Sequence, residues 1–186
     1  MAEKEYCFIS ADSLQLDSYK LAKQVYDSGF KPTFMVALWR GGTPVGCYVQ
    51  EFLKTKGIKA DHIATRTSRY TGIEEAEDIV RIHGLDYIVK KANNTDSLLI
   101  IDDVFDSGKT IEALIKKLRE ESRANTPSDI RVATVYFKPQ NNKTNIQPDY
   151  FIHKADKWLV FPHELEGLSL DEIAAGKGKE IAELLK

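Results

Sequence analysis

Two cysteines in 186 residues are too few for a disulfide framework or a four-ligand zinc site. Cys7 and Cys47 are expected instead as small buried hydrophobes in a reducing compartment. A strong charge of one sign is missing too. Lys and Arg number 26 against 28 Asp and Glu, a net charge of −2. Nothing in that balance calls for nucleic acid or an anionic membrane as partner. No apolar run approaches the ~20 residues a membrane helix needs. The opening Met-Ala-Glu-Lys-Glu leads into an apolar stretch too short for a signal peptide. No repeat and no low-complexity tract is visible. What is present is an ordinary balance, 42% hydrophobic and 29% charged, typical of soluble domains. One cytoplasmic domain over residues 1–186 is the expectation.

Periodicity alternates along the chain. Leu21, Ala22 and Val25 recur at helical spacing between Asp17 and Ser28, and Gly29 ends the helix. Phe34 to Trp39 reads as a buried strand. Gly41-Gly42-Thr43-Pro44 then turns into a helix carrying Val45, Val49 and Leu53. Ile58 to Thr65 is a further strand. Residues 66 to 81 are polar with no clear period, the pattern of a long functional loop. Asp86 to Val89 reads as a short strand and Lys90 to Asp96 as a polar connector. Arg131 to Phe137 is a β-branched and aromatic strand, and an Asn-rich turn follows from Pro139 to Pro148. Tyr150 to His153 and Trp158 to Phe161 read as short strands. A terminal helix from Leu170 to Leu185 is interrupted near Gly176 and Gly178. Strands alternating with helices predict an α/β fold with a parallel twisted sheet flanked by helices.

The most informative run is Leu98-Leu99-Ile100-Ile101-Asp102-Asp103-Val104-Phe105-Asp106-Ser107-Gly108-Lys109-Thr110. Four apolar residues make a strand buried on both faces. Two acids close it, a hydroxyl-bearing turn follows, and Ile111, Leu114, Ile115 and Leu118 continue at helical spacing. Free N–H groups and the positive helix end at Asp106–Thr110 suit a phosphate. Ser107 and Thr110 add hydroxyls, and Gly108 permits close approach. Lys109 opposes the helix dipole unless an anion sits between them. Asp102 and Asp103 suit a ribose diol, directly or through a metal. A simple helix cap would explain one acid, but not three acids with a lysine. A Walker P-loop needs glycine where Asp103 stands.

These thirteen residues resemble the 5-phosphoribosyl-1-pyrophosphate (PRPP) motif of type I phosphoribosyltransferases, with Ser107 in place of the commoner threonine. The resemblance extends from about residue 15 to 165. It implies the fold of that family, with a small hood of terminal and late segments over the sheet's carboxyl edge. Trp39-Arg40-Gly41-Gly42 resembles the pyrophosphate loop of the purine members, and so implies that Arg40 and Gly41 bind pyrophosphate and that the Trp39–Arg40 peptide is cis. Read alone, the double glycine is a tight strand-to-helix turn. Thr67-Ser68-Arg69-Tyr70-Thr71-Gly72 looks like the family's flexible catalytic loop, although Arg69 separates the usual Ser-Tyr pair formed here by Ser68 and Tyr70.

Tyr136-Phe137-Lys138-Pro139 and Asp156-Lys157-Trp158-Leu159-Val160-Phe161-Pro162-His163-Glu164 resemble the 6-oxopurine branch. There Lys138 would donate to purine O6, Trp158 would stack on the ring, and the Leu159 backbone would read its edge. By spacing alone Trp158 reads as a core aromatic. His163-Glu164 lacks the second histidine of a zinc-protease helix. The resemblance makes Asp106 the acid that manages the purine N7 proton, with helix capping as its plain alternative. It also implies Mg²⁺, held by Asp102, Asp103 and Glu164 partly through water or ribose. The implied activity is purine salvage: a 6-oxopurine (hypoxanthine, guanine or xanthine) and PRPP become a nucleoside 5′-monophosphate and pyrophosphate. A homodimer or homotetramer is expected, with neither nucleic acid nor membrane as partner. The alternatives are a phosphoribosyltransferase for adenine, uracil or orotate, and a PRPP- or purine-sensing regulatory binder.

Overall fold

The computed structural model describes residues 6–70 and 79–186, with only the backbone described for residues 69, 70 and 79. Its centre is a six-stranded sheet: β2 (Phe34–Trp39), β3 (Asp61–Tyr70), β4 (Ile79–His83), β5 (Ser97–Phe105), β6 (Asp129–Phe137) and β7 (Tyr150–Lys154). The spatial order is β4-β3-β2-β5-β6-β7. All neighbours are parallel except β3 and β4, so the sheet carries one antiparallel edge.

The β5 sequence shows why this sheet is covered on both sides. Successive side chains of a strand face opposite ways. Leu99 and Ile101 join one core, with Leu21 and Val25 of α1 (Ala11–Asp27) and Val45 and Val49 of α2 (Gly42–Thr55). Leu98 and Ile100 join the other, with Ile88 of α3 (Asp86–Lys91) and Leu114 and Leu118 of α4 (Lys109–Ser122). All four β5 side chains are fully buried, each contributing about 1.5–3 kcal/mol through the apolar surface removed from water.

Strand order reverses between β2 and β5. The chain leaves β2 towards β3, then returns to place β5 on the other side of β2. In an open parallel sheet that switch point opens a crevice at the strands' carboxyl ends. Trp39 and the Asp102–Asp103 pair end the two strands there. Above it lies a two-stranded parallel hood of β1 (Tyr6–Phe8) and β8 (Trp158–Val160). Behind the hood packs α5 (Leu170–Lys177), whose Gly176 admits the Phe8 ring where a Cβ would collide. A short α6 (Lys179–Glu183) completes the chain, broken from α5 at Gly178.

Several boundaries differ from the sequence expectation. Helix α1 begins at Ala11, because Ser10 caps it by accepting the Ser13 N–H at 3.1 Å. The stretch from Asp86 to Val89 is helix α3, not strand: Leu85, Ile88 and Ala92 are buried at helical spacing. Strand β3 starts at Asp61, later than Ile58. It runs on to Tyr70 and pairs antiparallel with β4 from Arg66↔His83 to Tyr70↔Ile79, so residues 66–70 and 79–81 form a ladder and are not irregular, while 71–78 of that expected loop lie outside the described residues. Cys7 is half-buried, but Cys47 is exposed on α2, contrary to its expected burial. Among the described residues no helix is long and apolar enough to cross a membrane.

Candidate active site

The two acids closing β5 divide their tasks. Asp102 accepts the Asp103 N–H at 3.0 Å and also the Gly42 N–H. Burial, then the neighbouring Asp103 charge, push the Asp102 carboxyl well above the ordinary carboxylate range, against the pull of those N–H groups. Asp103 is buried. Its Oδ1 accepts the Val104 N–H at 2.8 Å, and its Oδ2 lies 3.4 Å from His163 Nε2. Neither oxygen pattern is a helix cap. The N-cap of α4 is Gly108, which offers no side-chain acceptor.

Gly41 and Gly42 are dictated by these acids. A Cβ on Gly41 would overlap the Asp103 carboxylate, and one on Gly42 would overlap the Ile101 carbonyl oxygen. The loop therefore lies directly on the end of β5. The Trp39–Arg40 peptide leading into it is cis, as the resemblance implied. The Arg40 guanidinium is exposed, with Nη2 4.0 Å from Glu166 Oε2.

The turn after β5 closes around a cavity of about 180 Å³ lined by Asp102, Asp106, Ser107, Gly108 and Thr110 among others. Gly108 has φ +76°, a left-handed conformation that favours glycine. Lys109 is the first residue of α4. Asp106 does not cap that helix. Its Oδ1 accepts from Asn141 Nδ2 at 2.9 Å, and Lys138 Nζ stands 3.4 Å from Oδ2. Lys138 is buried at the end of β6, while the Asp106 side chain is 46% exposed.

A second cavity, of about 220 Å³, is lined by Arg40, Trp158, Glu164 and Glu166 among others. Trp158 is 56% exposed, so it is not the core aromatic its spacing suggested. Lys138 Nζ lies 5.9 Å from its ring centroid. Lys138 thus stands between Asp106, which lines one cavity, and Trp158, which lines the other. Leu159 turns its side chain into the core, leaving only backbone to a ligand. Glu164 Oε2 accepts the Phe161 N–H at 3.0 Å. Among the described residues no three His, Cys, Asp or Glu side chains gather as a metal cluster.

One set of expected residues is not brought to this edge by described side chains. Ser68 is a half-buried residue of β3 opposite Arg81. Arg69 and Tyr70 continue that strand, their side chains outside the described residues together with Thr71 and Gly72. Sequence reading missed Asn141 and His163. Asn141 lay in a turn judged only by its asparagines, two residues beyond Lys138-Pro139. His163 was weighed only as a zinc ligand.

The phosphoribosyl transferase domain profile matches residues 11–170 of the chain. Xanthine phosphoribosyltransferase 1 of Saccharomyces cerevisiae is 25% identical, covering 90% of this chain and 94% of its own. Purine phosphoribosyltransferase from Pyrococcus horikoshii superposes with a TM-score of 0.66 at 23% identity, over 88% of this chain and 97% of its own. A Neisseria gonorrhoeae protein solved with bound ppGpp superposes with a TM-score of 0.73 at 20% identity, over the full length of both chains.

Proposed function

This chain belongs to the phosphoribosyl transferase domain family, and on that premise we propose that it is a Mg²⁺-dependent purine phosphoribosyltransferase. It joins a 6-oxopurine (hypoxanthine, guanine or xanthine) to PRPP in the cytoplasm, as a homodimer or homotetramer. The observation that carries this reading is the placing of buried Lys138 between Asp106 and the exposed Trp158 ring, next to the phosphate-sized turn. The yeast relative's name, a xanthine phosphoribosyltransferase, agrees with it.

The 106–110 turn takes the 5-phosphate: Ser107 and Thr110 give hydroxyls, the start of α4 gives N–H groups, and Lys109 gives charge. Asp102 faces the same cavity and takes the ribose diol. Arg40 and Gly41 take the pyrophosphate. The purine lies on Trp158 with O6 towards Lys138, its edge read by the Leu159 backbone. As the purine nitrogen bonds to C1′, the C1′–O bond breaks and its electron pair leaves with pyrophosphate. Asp106 accepts the purine proton, its carboxylate held by Asn141. Ser68, Arg69 and Tyr70, at the end of β3, would help exclude water from the oxocarbenium-like centre.

The donor set fits Mg²⁺. That ion is commonly held by one or two carboxylates, with substrate oxygens and water completing the shell. Asp102 and Asp103 offer those carboxylates, directly or through ribose hydroxyls, and Glu164 contributes through water. When bound it would neutralise the leaving pyrophosphate.

A second reading is a nucleotide-sensing binder, favoured by the ppGpp carried by the gonococcal neighbour. One experiment separates the two: PRPP and Mg²⁺ with hypoxanthine, guanine, xanthine, adenine, uracil or orotate, following pyrophosphate and nucleotide. Turnover of an oxopurine supports the enzyme. Turnover of adenine or a pyrimidine alone overturns the roles of Lys138 and Trp158. Tight PRPP or nucleotide binding without turnover establishes the binder.

A further inference from the structure

Three parts of the site meet at one buried carboxylate. Asp103 lies near the carboxyl end of β5, its Oδ1 is occupied by the Val104 N–H, and its carboxylate packs so closely on Gly41 that no Cβ fits between them. Its Oδ2 faces His163 Nε2 at 3.4 Å. Asp102, next along the strand, lines the cavity of the 106–110 turn instead. Consecutive strand residues point in opposite directions, so Asp102 lines the ribose cavity while accepting the Gly42 N–H, and Asp103 packs under Gly41 and faces His163.

His163 is itself held rigidly. Its ring stacks on Phe161, with centroids 5.8 Å apart and planes 14° from parallel. Phe161 is buried in the core. Its N–H donates to Glu164 Oε2 at 3.0 Å, and its carbonyl accepts Lys177 Nζ at 2.5 Å. The hood turn is thus clamped from α5 and from within. His163 Nδ1 is buried without a hydrogen-bond partner among the described residues. An imidazole that leaves one nitrogen unpaired is oriented by the other, because buried polar atoms are normally paired. That other nitrogen faces Asp103.

We infer that His163 is a positioning residue that, through Asp103, seats the loop at Arg40, Gly41 and Gly42 for pyrophosphate. The inference rests on the reading of that loop given above. It gives the pyrophosphate loop a support that the 106–110 turn does not share. The 106–110 turn holds ribose 5-phosphate without His163, whereas the pyrophosphate half depends on it.

The test compares His163→Phe, which keeps the stack on Phe161 and removes the nitrogens, with His163→Gln, which restores a side-chain N–H donor. Calorimetry with Mg²⁺ measures PRPP and ribose 5-phosphate separately. His163→Phe should bind PRPP about fivefold more weakly, the scale of a single charged contact. Its ribose 5-phosphate affinity should be unchanged, and His163→Gln should recover part of the loss. Equal weakening of both ligands means a general structural role and overturns the inference, as does unchanged PRPP binding. Amide hydrogen exchange supplies a readout without any ligand. Gly41, which packs on Asp103, should exchange faster in His163→Phe while residues 107–110 do not; unchanged exchange at Gly41 overturns the inference. Wild-type protein that binds neither ligand would refute the proposed function and leave the exchange comparison to decide the role of His163.

Discussion

Gly108→Ala probes the turn between β5 and α4, where backbone shape and ligand chemistry coincide. Gly108 has φ +76°, and an L-residue in that region costs roughly 1–2 kcal/mol. The new Cβ would also stand 2.6 Å from Thr144 Oγ1 and 2.8 Å from the Phe105 ring. Neither neighbour yields readily. Phe105 is fully buried and meets Phe137 edge-on at 5.6 Å. Thr144 Oγ1 is tied to Asn142 Oδ1 at 3.0 Å. Overpacking of this kind costs about 1–3 kcal/mol. Together the two effects amount to about 2–5 kcal/mol, which at ~2–4 °C per kcal/mol lowers Tm by roughly 4–20 °C in a chain of this size. Gly57→Ala is the internal control: φ is +81° there, and a Cβ would meet nothing within 4 Å. Strain alone predicts a loss of about 1–2 kcal/mol for it. Thermal unfolding gives both shifts, and calorimetry with ribose 5-phosphate follows the turn itself. Equal Tm shifts for the two variants, with ribose 5-phosphate binding intact in Gly108→Ala, would refute the packing argument.

Other substitutions separate chemistry from support. Asp106→Asn should lower kcat by about 100-fold or more, the usual scale for a general base, with little change in PRPP affinity; equal loss of both would make Asp106 structural. Trp158→Ala should raise KM for the purine about 2–10-fold, as loss of an aromatic stack does, leaving PRPP KM unaltered; a Trp158→Phe variant should retain most of the affinity. Asp17→Asn tests a half-exposed pair between α1 and β7, where His153 Nε2 lies 2.7 Å from the buried Asp17 Oδ2. Burial alone would raise the Asp17 carboxyl, but Lys20 and His153 outweigh it and hold the group below its ordinary 3.8. A depressed carboxylate stabilises the fold above its unfolded value, and the benefit is lost as pH falls through the folded value. The Tm gap between wild type and Asp17→Asn should therefore be full at neutral pH and close in acid below 3.8. A gap constant with pH would show that the ionised carboxylate contributes nothing.

Local pattern was enough where a strand is buried on both faces or a turn has special chemistry. Leu98 to Ile101 could be nothing but a central strand, and Asp106–Thr110 announced an anion-binding turn. Ambiguity arose in short apolar runs. Leu85 to Val89 carries too few residues to distinguish the periods of helix and strand, and α4 and the sheet decide in favour of α3 by burying Leu85 and Ile88 together. Residues 66–70 read as loop because β3 and β4 form the sheet's edge, where polar side chains meet water and the alternation weakens.

Sequence by itself determined the α/β class, the acidic strand end and the turn-forming glycines, because periodicity and turn chemistry are properties of near neighbours along the chain; what those glycines pack against was decided by the fold. Tertiary structure decided which acid faces which partner. Asp102 and Asp103 are adjacent and chemically alike, and only the fold turns one to the cavity and Gly42 and the other to Gly41 and His163. It likewise exposed Trp158 and brought Asn141 to Asp106. Those contacts join residues tens of positions apart, and no spacing rule along the chain encodes a distance set by the stacking of strands and the fall of the hood.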